Sequence, residues 1–337
     1  MGKYFDSFAE RVQKLATGTD DWTIVAKQNH DIRIKQEAFH PFLKFITYNV
    51  NIKELAGKLV EIEFDDDGLK RTNTPTDSRV PTQTTTPGSF DYAMTRGELD
   101  ILLEWDTIDH YEETCHNQRA FDTKIVEALL QKFSKCIVKV GFIGTSRASS
   151  SIGDLKTFDR GWRQRLFEAD ASYVMTQTAS GVKAGAIVIE GDGAPFDHKT
   201  IDNLVVETVG DIDDQYHDDL AVLMGRSLYT QRASNLWSAI GNRPSEKDIE
   251  IIKNTLGTCG GLPVIPPSIT KSFPASSLWV VNPQKLLIYQ HRKVRKAVKD
   301  TEENNGRSYF NTWHLDFPIR DPESMRICEN IEYAGSA

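Results

Sequence analysis

The sequence has no apolar run approaching the roughly 18 residues of a membrane span. Its N-terminus, MGKYFDSFAERVQKL, lacks the uninterrupted apolar core of a secretory signal. Gly2 is followed by Asp6 where a myristoylation site carries Ser or Thr. The expected compartment is the cytosol, with no membrane partner. Cysteine is scarce: Cys115, Cys136, Cys259 and Cys328 are scattered and form no CxxC pair. That excludes a clustered zinc site and a disulfide framework, and leaves buried free thiols as the expectation. Basic excess is missing too. The formal net charge is −8, which argues against a protein whose main task is gripping nucleic acid, since phosphate neutralisation needs a basic surface. No repeat of 20 to 50 residues points to a solenoid.

Catalytic signatures are equally thin. Gly191-Asp192-Gly193 stands where a dinucleotide fingerprint would sit, but its third glycine is replaced by Phe196. The cluster DIDDQYHDD, Asp211 to Asp219, has the residue types of a calcium or magnesium site. It lacks the EF-hand glycine and terminal Glu, and reads as a solvated loop. Cys115-His116 is adjacent in sequence, without protease wording around it. Gly260-Gly261 belongs to neither a GxSxG elbow nor a P-loop, and HExxH is absent. No catalytic residue, cofactor or metal is expected.

What is present is 337 residues, 39% apolar with 22 Gly, enough for one large domain or two ordinary ones with a sizeable core. The unusual stretch is Asp65 to Tyr92, filled with Thr72, Thr74, Thr76, Thr82, Thr84, Thr85 and Thr86 and punctuated by Pro75, Pro81 and Pro87. Proline denies it helix and threonine favours extended backbone, so an extended arm is expected. The flanking apolar runs, Lys58 to Phe64 and Glu98 to Trp105, are expected to pair as a long hairpin. Its tip would reach roughly 40 Å, with nothing in one domain to cover it.

Elsewhere, Phe5, Phe8, Val12 and Leu15 outline a short amphipathic helix, and Trp22 to His40 reads as an arm anchored by Phe42, Phe45 and Ile46. The strongest helical signal is Arg119 to Phe142, whose stripe (Phe121, Ile125, Ala128, Leu129, Phe133, Cys136, Ile137, Val140) is broken by Lys132. Shorter helices are expected at Thr107 to Thr114 and at Asp159 to Ala169 with Asp159 as cap. Another follows Asp197, also as cap, and two more span Ser227 to Ile240 and Ser245 to Leu256. Strands are expected at Ala184 to Glu190, Leu220 to Met224, Leu262 to Ile265, Leu278 to Val281, Leu286 to Tyr289 and Met325 to Tyr333. The middle of the chain is thus an α/β unit, with long polar strands after His291. The run HRKVRKAVK, His291 to Lys299, is wholly without acidic residues. It reads as a solvated strand face, a patch facing phosphates, or an intersubunit partner for an acidic segment such as Asp65 to Asp67.

The ordered landmarks from Phe142 onward resemble the major capsid proteins of Peduovirus-type tailed phages, which have the Hong Kong 97-type capsid fold. They are Phe142-Ile143-Gly144, Gly161-Trp162 after a Ser-rich loop, Asp219 to Arg226, and Gly261 to Val264. Phe273-Pro274-Ala275, Leu286 to Tyr289, Arg292 to Arg295 and Cys328 to Ile331 complete the series. Ile319 to Pro322 departs from the family's acidic-aromatic wording.

The resemblance implies an α+β fold. Its parts would be an N-terminal arm (1–54), an extended loop (55–101), a peripheral domain with a long spine helix (102–180 and 291–321) and an axial domain (181–290 and 322–337). It also implies a structural protein, not an enzyme, that self-assembles as hexamers and pentamers into an icosahedral head around double-stranded DNA in the host cytoplasm. Portal and scaffold proteins would be its other partners. Relatives lose an N-terminal segment to a maturation protease; with Met1 present, that cleavage is not expected here. The candidate interface residues are Asp65, Asp66, Arg71, Arg79, Arg292 and Arg295. The alternatives are a cytosolic α/β enzyme using the Asp211 to Asp219 loop or the Gly191 turn, and an encapsulin-like cellular shell.

Overall fold

The computed structural model describes residues 36–64, 85–114, 118–148, 154–177, 181–190, 195–217, 219–240, 246–301 and 305–334. The expected helix at Phe5 to Leu15, Cys115-His116 and the Gly191 turn lie outside them. The first half of the described chain comprises β1 (Thr47–Ile52), β2 (Ala56–Phe64), β3 (Thr85–Ala93), β4 (Thr95–Glu98), β5 (Ile101–Glu104), α1 (Trp105–Thr114), α2 (Gln118–Ile143), α3 (Trp162–Ala169) and β6 (Val174–Met175). Next come β7 (Ile187–Ile189), α4 (Ile201–Gly210), β8 (Ala221–Met224), α5 (Arg226–Ile240), α6 (Glu246–Gly257), β9 (Thr258–Cys259) and β10 (Leu262–Ile265). After a single helical turn at Pro267–Thr270, β11 (Leu278–Val281), β12 (Leu287–His291), β13 (Arg295–Thr301), β14 (Gly306–Asp316), β15 (Arg326–Cys328) and β16 (Ile331–Tyr333) close the chain.

Two six-stranded sheets carry the fold. One has the order β6-β15-β11-β8-β10-β9. Its middle strands, AVLM and LWVV, are buried at every position, which is why they are continuous apolar runs instead of alternating ones. Successive side chains still point to opposite faces. Val222, Met224, Leu278 and Val280 meet α4 through Ile201, Leu204 and Val205. Ala221, Leu223, Trp279 and Val281 face the long helix α2 through Phe133, Ile137 and Phe142. The other sheet is organised by the eleven-residue strand β14, which pairs with β12 and β13 along one edge and with β4 and β5 along the other.

The two sheets meet at the end of α2. Phe142 packs edge-on against Trp162 and Trp279, with centroids 5.4 Å apart in each case, and lies 5.1 Å from Phe42 and Phe273. Trp162 Nε1 donates to the Leu287 carbonyl at 2.9 Å, satisfying the one polar atom of a fully buried ring. The approach leaves no room for side chains: a Cβ on Gly144 would lie 2.2 Å from the Asp159 carbonyl oxygen. Phe42, Leu43, Tyr48 and Val50, sequence neighbours of the expected arm, are buried in this same core, while Phe45 is exposed.

Two expected helix caps are corrected. α3 begins at Gly161 without a side-chain cap, because Asp159 is turned inward to an arginine described below. α4 is capped by Thr200, whose hydroxyl accepts from Asn203 N. Asp197 instead accepts from Val182 N and Val188 N, both at 2.8 Å, and so ties a loop to β7.

Candidate assembly interface

β2 and β3 form an antiparallel hairpin with nine consecutive pairs, from Ala56↔Ala93 to Phe64↔Thr85, and together make a two-stranded sheet of their own. At about 3.4 Å per residue the paired ladder alone extends about 30 Å. This corrects the expected pairing of Lys58 to Phe64 with Glu98 to Trp105. The second strand comes from inside the threonine-rich stretch, and the Glu98 to Trp105 region is given to β14 through β4, β5 and the start of α1. The physical reason is reach: Met94 N donates to the Leu55 carbonyl at 2.8 Å and closes the base just where the chain returns to the body. The candidate interface residues Asp65, Asp66, Arg71 and Arg79 lie outside the described residues.

The base is held by charge. Ala93, the last residue of the hairpin, has both backbone groups taken by side chains of the body. Asp316 Oδ2 accepts from its N–H at 2.9 Å, and Arg147 donates to its carbonyl at 2.6 Å. Asp316 is fully buried; its Oδ1 accepts from Arg165 and from Phe317 N. Asp159, also fully buried, accepts from Arg147 Nε at 3.1 Å and Nη2 at 2.9 Å, and from Arg160 N at 2.8 Å. Burial pushes the Asp159 carboxyl up, and Arg147 pulls it back. Two arginines and two aspartates thus form a balanced group under the hairpin, where each fully buried aspartate has an arginine partner and accepts three hydrogen bonds. Tyr92 adds an edge-on contact to Tyr289, 5.4 Å between centroids. Of these four charged residues the sequence singled out only Asp159, and that as a helix cap. The available signal was Asp316 between Leu315 and Phe317, a carboxylate in an apolar run that demands a partner.

The basic run splits in the structure. His291 and Val294 are buried, Arg292 and Lys293 are half-buried, and Arg295 is exposed. His291 Nε2 lies 3.0 Å from the Lys53 carbonyl oxygen, and Arg292 N donates to Ile52, so this end of the run ties β12 to the turn before the hairpin. Arg295 opens a second hairpin, β13 with β14, seven pairs long. The Asp211 to Asp219 loop contains a short 3-10 turn, Asp214–Tyr216. Among the described residues no group of His, Cys, Asp and Glu is placed to hold a metal ion, and no helix is long and apolar enough to cross a membrane.

The family model of the phage major capsid proteins, P2 family, matches residues 3–331. The chain belongs to that family. This P2-family capsid protein has a structural role in the virion capsid, and self-association into icosahedral shells follows from membership. Its fold is of the Hong Kong 97 type. A chain of the satellite phage P4 procapsid including size determination (Sid) protein is similar over 100% of both chains, at 19% identity and a TM-score of 0.74. Capsid-fold likeness extends to Mycobacterium phage Bobi, 11% identical over 88% of this chain and 91% of that one, with a TM-score of 0.51. Microbacterium phage Oxtober96 gives the same score at 10% identity, over 87% and 91%. No curated protein sequence matches the chain.

Proposed function

We propose that this capsid protein builds its shell from hexamers and pentamers around double-stranded DNA, with the β2–β3 hairpin laid over a neighbouring subunit. The observation that supports this reading is the hairpin itself. Among the described residues its two strands pair only with each other, so two backbone edges are open to another chain. Asp65, Asp66, Arg71 and Arg79 would meet the neighbour from the distal part of the loop, and Arg292 and Arg295 from the body. The division into arm (1–54), extended loop (55–101), peripheral domain (102–180 and 291–321) and axial domain (181–290 and 322–337) is part of the same proposal. So are assembly in the host cytoplasm, portal and scaffold partners, and the lack of any catalytic role. Negative-stain imaging of the purified protein and of its phage lysate tests it. Closed shells with five- and six-fold capsomers are expected; a strictly monomeric protein absent from particles would overturn the reading.

A further inference from the structure

The chain turns from β8 into α5 at Gly225 and from β10 into a single helical turn at Pro266, and a cavity of about 500 Å³ lies between these corners. That volume is within the range of small-molecule sites. Arg226 and Lys271 line it, and among the described residues neither side chain has an ion-pair or hydrogen-bond partner. The hydroxyls of Tyr229, Thr230 and Ser268 line it too and are equally unpaired. Thr270 completes the set. It is fully buried, it lines the cavity, and its Oγ1 has no hydrogen-bond partner. An unpaired buried hydroxyl costs stability, so such a group in a native fold calls for a partner. The first turn of α5 adds the positive end of its dipole, because Gly225 offers no capping side chain and Ser227 donates its hydroxyl to the Ala275 carbonyl instead. No carboxylate lines the cavity. Two cations, four spare hydroxyls and a helix start together can only favour an anion.

The charge count selects the anion. A phosphomonoester carries about −1.5 to −2 at neutral pH and three acceptor oxygens, which suits two cations flanked by hydroxyls better than a single carboxylate does. The rest of the wall is apolar: the Tyr229 and Phe273 rings and the two prolines Pro266 and Pro267. Phe273 is itself held edge-on by Phe142 and Trp279, at 5.1 and 5.2 Å between centroids, so this wall is fixed from behind by the core junction. An inorganic anion would leave it bare, whereas a flat heterocycle would cover it. We infer that this cavity binds a nucleoside phosphate, with the terminal phosphate on Arg226 and Lys271 and the base against Tyr229 and Phe273. The bound molecule would tie the start of α5 to the connection between β10 and β11. Every lining residue belongs to one subunit, so the inference stands apart from the proposed shell.

The test is isothermal titration calorimetry of the full chain with ADP, adenosine and inorganic phosphate at low salt. ADP should bind at least about tenfold more tightly than either fragment, since each fragment makes only one of the two kinds of contact. The variant R226Q/K271Q should lose at least about 30-fold in ADP affinity. The control K199Q/K253Q, which removes the same charge at exposed lysines elsewhere, should lose less than about threefold. Equal losses in the two variants, inorganic phosphate as tight as ADP, or no ADP binding to the wild-type chain would overturn the assignment. So would displacement of ADP by double-stranded DNA at equal phosphate concentration, which would give the cations to a nucleic-acid backbone. Arg226 and Lys271 are both exposed, and the thermal midpoint checks that their replacement leaves the fold intact. Should the double variant not fold, Lys271→Met carries the same expectation at roughly fivefold. Thr270→Val keeps the shape and removes only the unpaired hydroxyl. It should weaken ADP by roughly threefold to tenfold while the midpoint of the ligand-free chain stays level or rises. A lower midpoint with unchanged ADP affinity would overturn the part given to Thr270.

Discussion

The β2–β3 hairpin and the β8–β11 pair are both antiparallel, yet they are held in place by opposite means. β8 and β11 sit in a sheet whose two faces are buried, so apolar contact fixes them from both sides. The hairpin pairs only the inward-facing half of its backbone groups and is oriented from its base, where Asp316 and Arg147 grip Ala93. Apolar burial is non-directional and contributes about 1.5–3 kcal/mol per large side chain. A charge-assisted hydrogen bond contributes a comparable amount, about 1.5–3 kcal/mol, and fixes direction as well. The body is therefore built for stability and the hairpin for aim.

The sharpest way to break that contrast is to remove the hairpin. Gly57 and Tyr92 are paired across it, so replacing residues 58–91 with Asn-Gly closes the ladder at a tight turn. The subunit should stay folded, with a thermal midpoint within a few degrees of wild type, and closed shells should disappear from negative-stain images. Normal shells from this variant would refute the hairpin's role.

The reverse pattern is expected at the aromatic junction. Trp162→Ala removes a fully buried ring and its hydrogen bond to Leu287, at a cost of about 3–5 kcal/mol. Gly144→Val forces a side chain into the Asp159 carbonyl and should cost at least as much. Denaturant midpoints of the soluble subunit report both. If either variant kept wild-type stability while losing shells, the division between body and hairpin would be wrong.

The same contrast explains what could be read from the sequence. α2 and the strands at Ala221, Leu262, Leu278 and Leu287 were legible because burial writes itself as periodicity or as an apolar run. The hairpin's existence was legible from threonine and proline, but not its partner. Thr85–Ala93 carries no apolar run to set beside Lys58 to Phe64, and the choice between two strands was made by β14, more than two hundred residues away. Asp159 and Asp197 looked like helix caps because a lone Asp before a helical pattern usually is one. Both are instead long-range acceptors, which only the tertiary structure specifies.

Acid should act on the body through His40. His40 is buried, and burial, then Lys271 and Lys135, lowers its pKa from 6.5 to about 4. A depressed folded-state value means that the neutral form contributes stability above the unfolded pKa, and that this is lost as pH falls from about 6.5 through 4. The loss approaches about 3 kcal/mol. His40→Leu should remove that component, so the wild-type-minus-variant difference in unfolding free energy shrinks steadily between pH 7 and pH 4. The chain lacking residues 58–91 should keep the full acid loss. A pH-independent difference would show that His40 does not titrate in this way.

The smallest stability effect, and the one that tests aim directly, belongs to Arg147→Lys. Alanine would strand the fully buried Asp159 and confound direction with folding. Lysine keeps the positive charge, but its single ammonium cannot reproduce a guanidinium that gives Nε and Nη2 to Asp159 while Nη2 also reaches the Ala93 carbonyl. One charge-assisted bond is lost, about 1–2 kcal/mol, and the natural choice is the exposed one to Ala93, since Asp159 is the costlier group to leave unpaired. The expected result is a subunit that unfolds close to wild type but assembles slowly, with irregular shells in light scattering and imaging. Wild-type assembly kinetics would mean that Asp316 alone holds the base. A large stability loss would mean that Arg147 serves the core before it serves the hairpin.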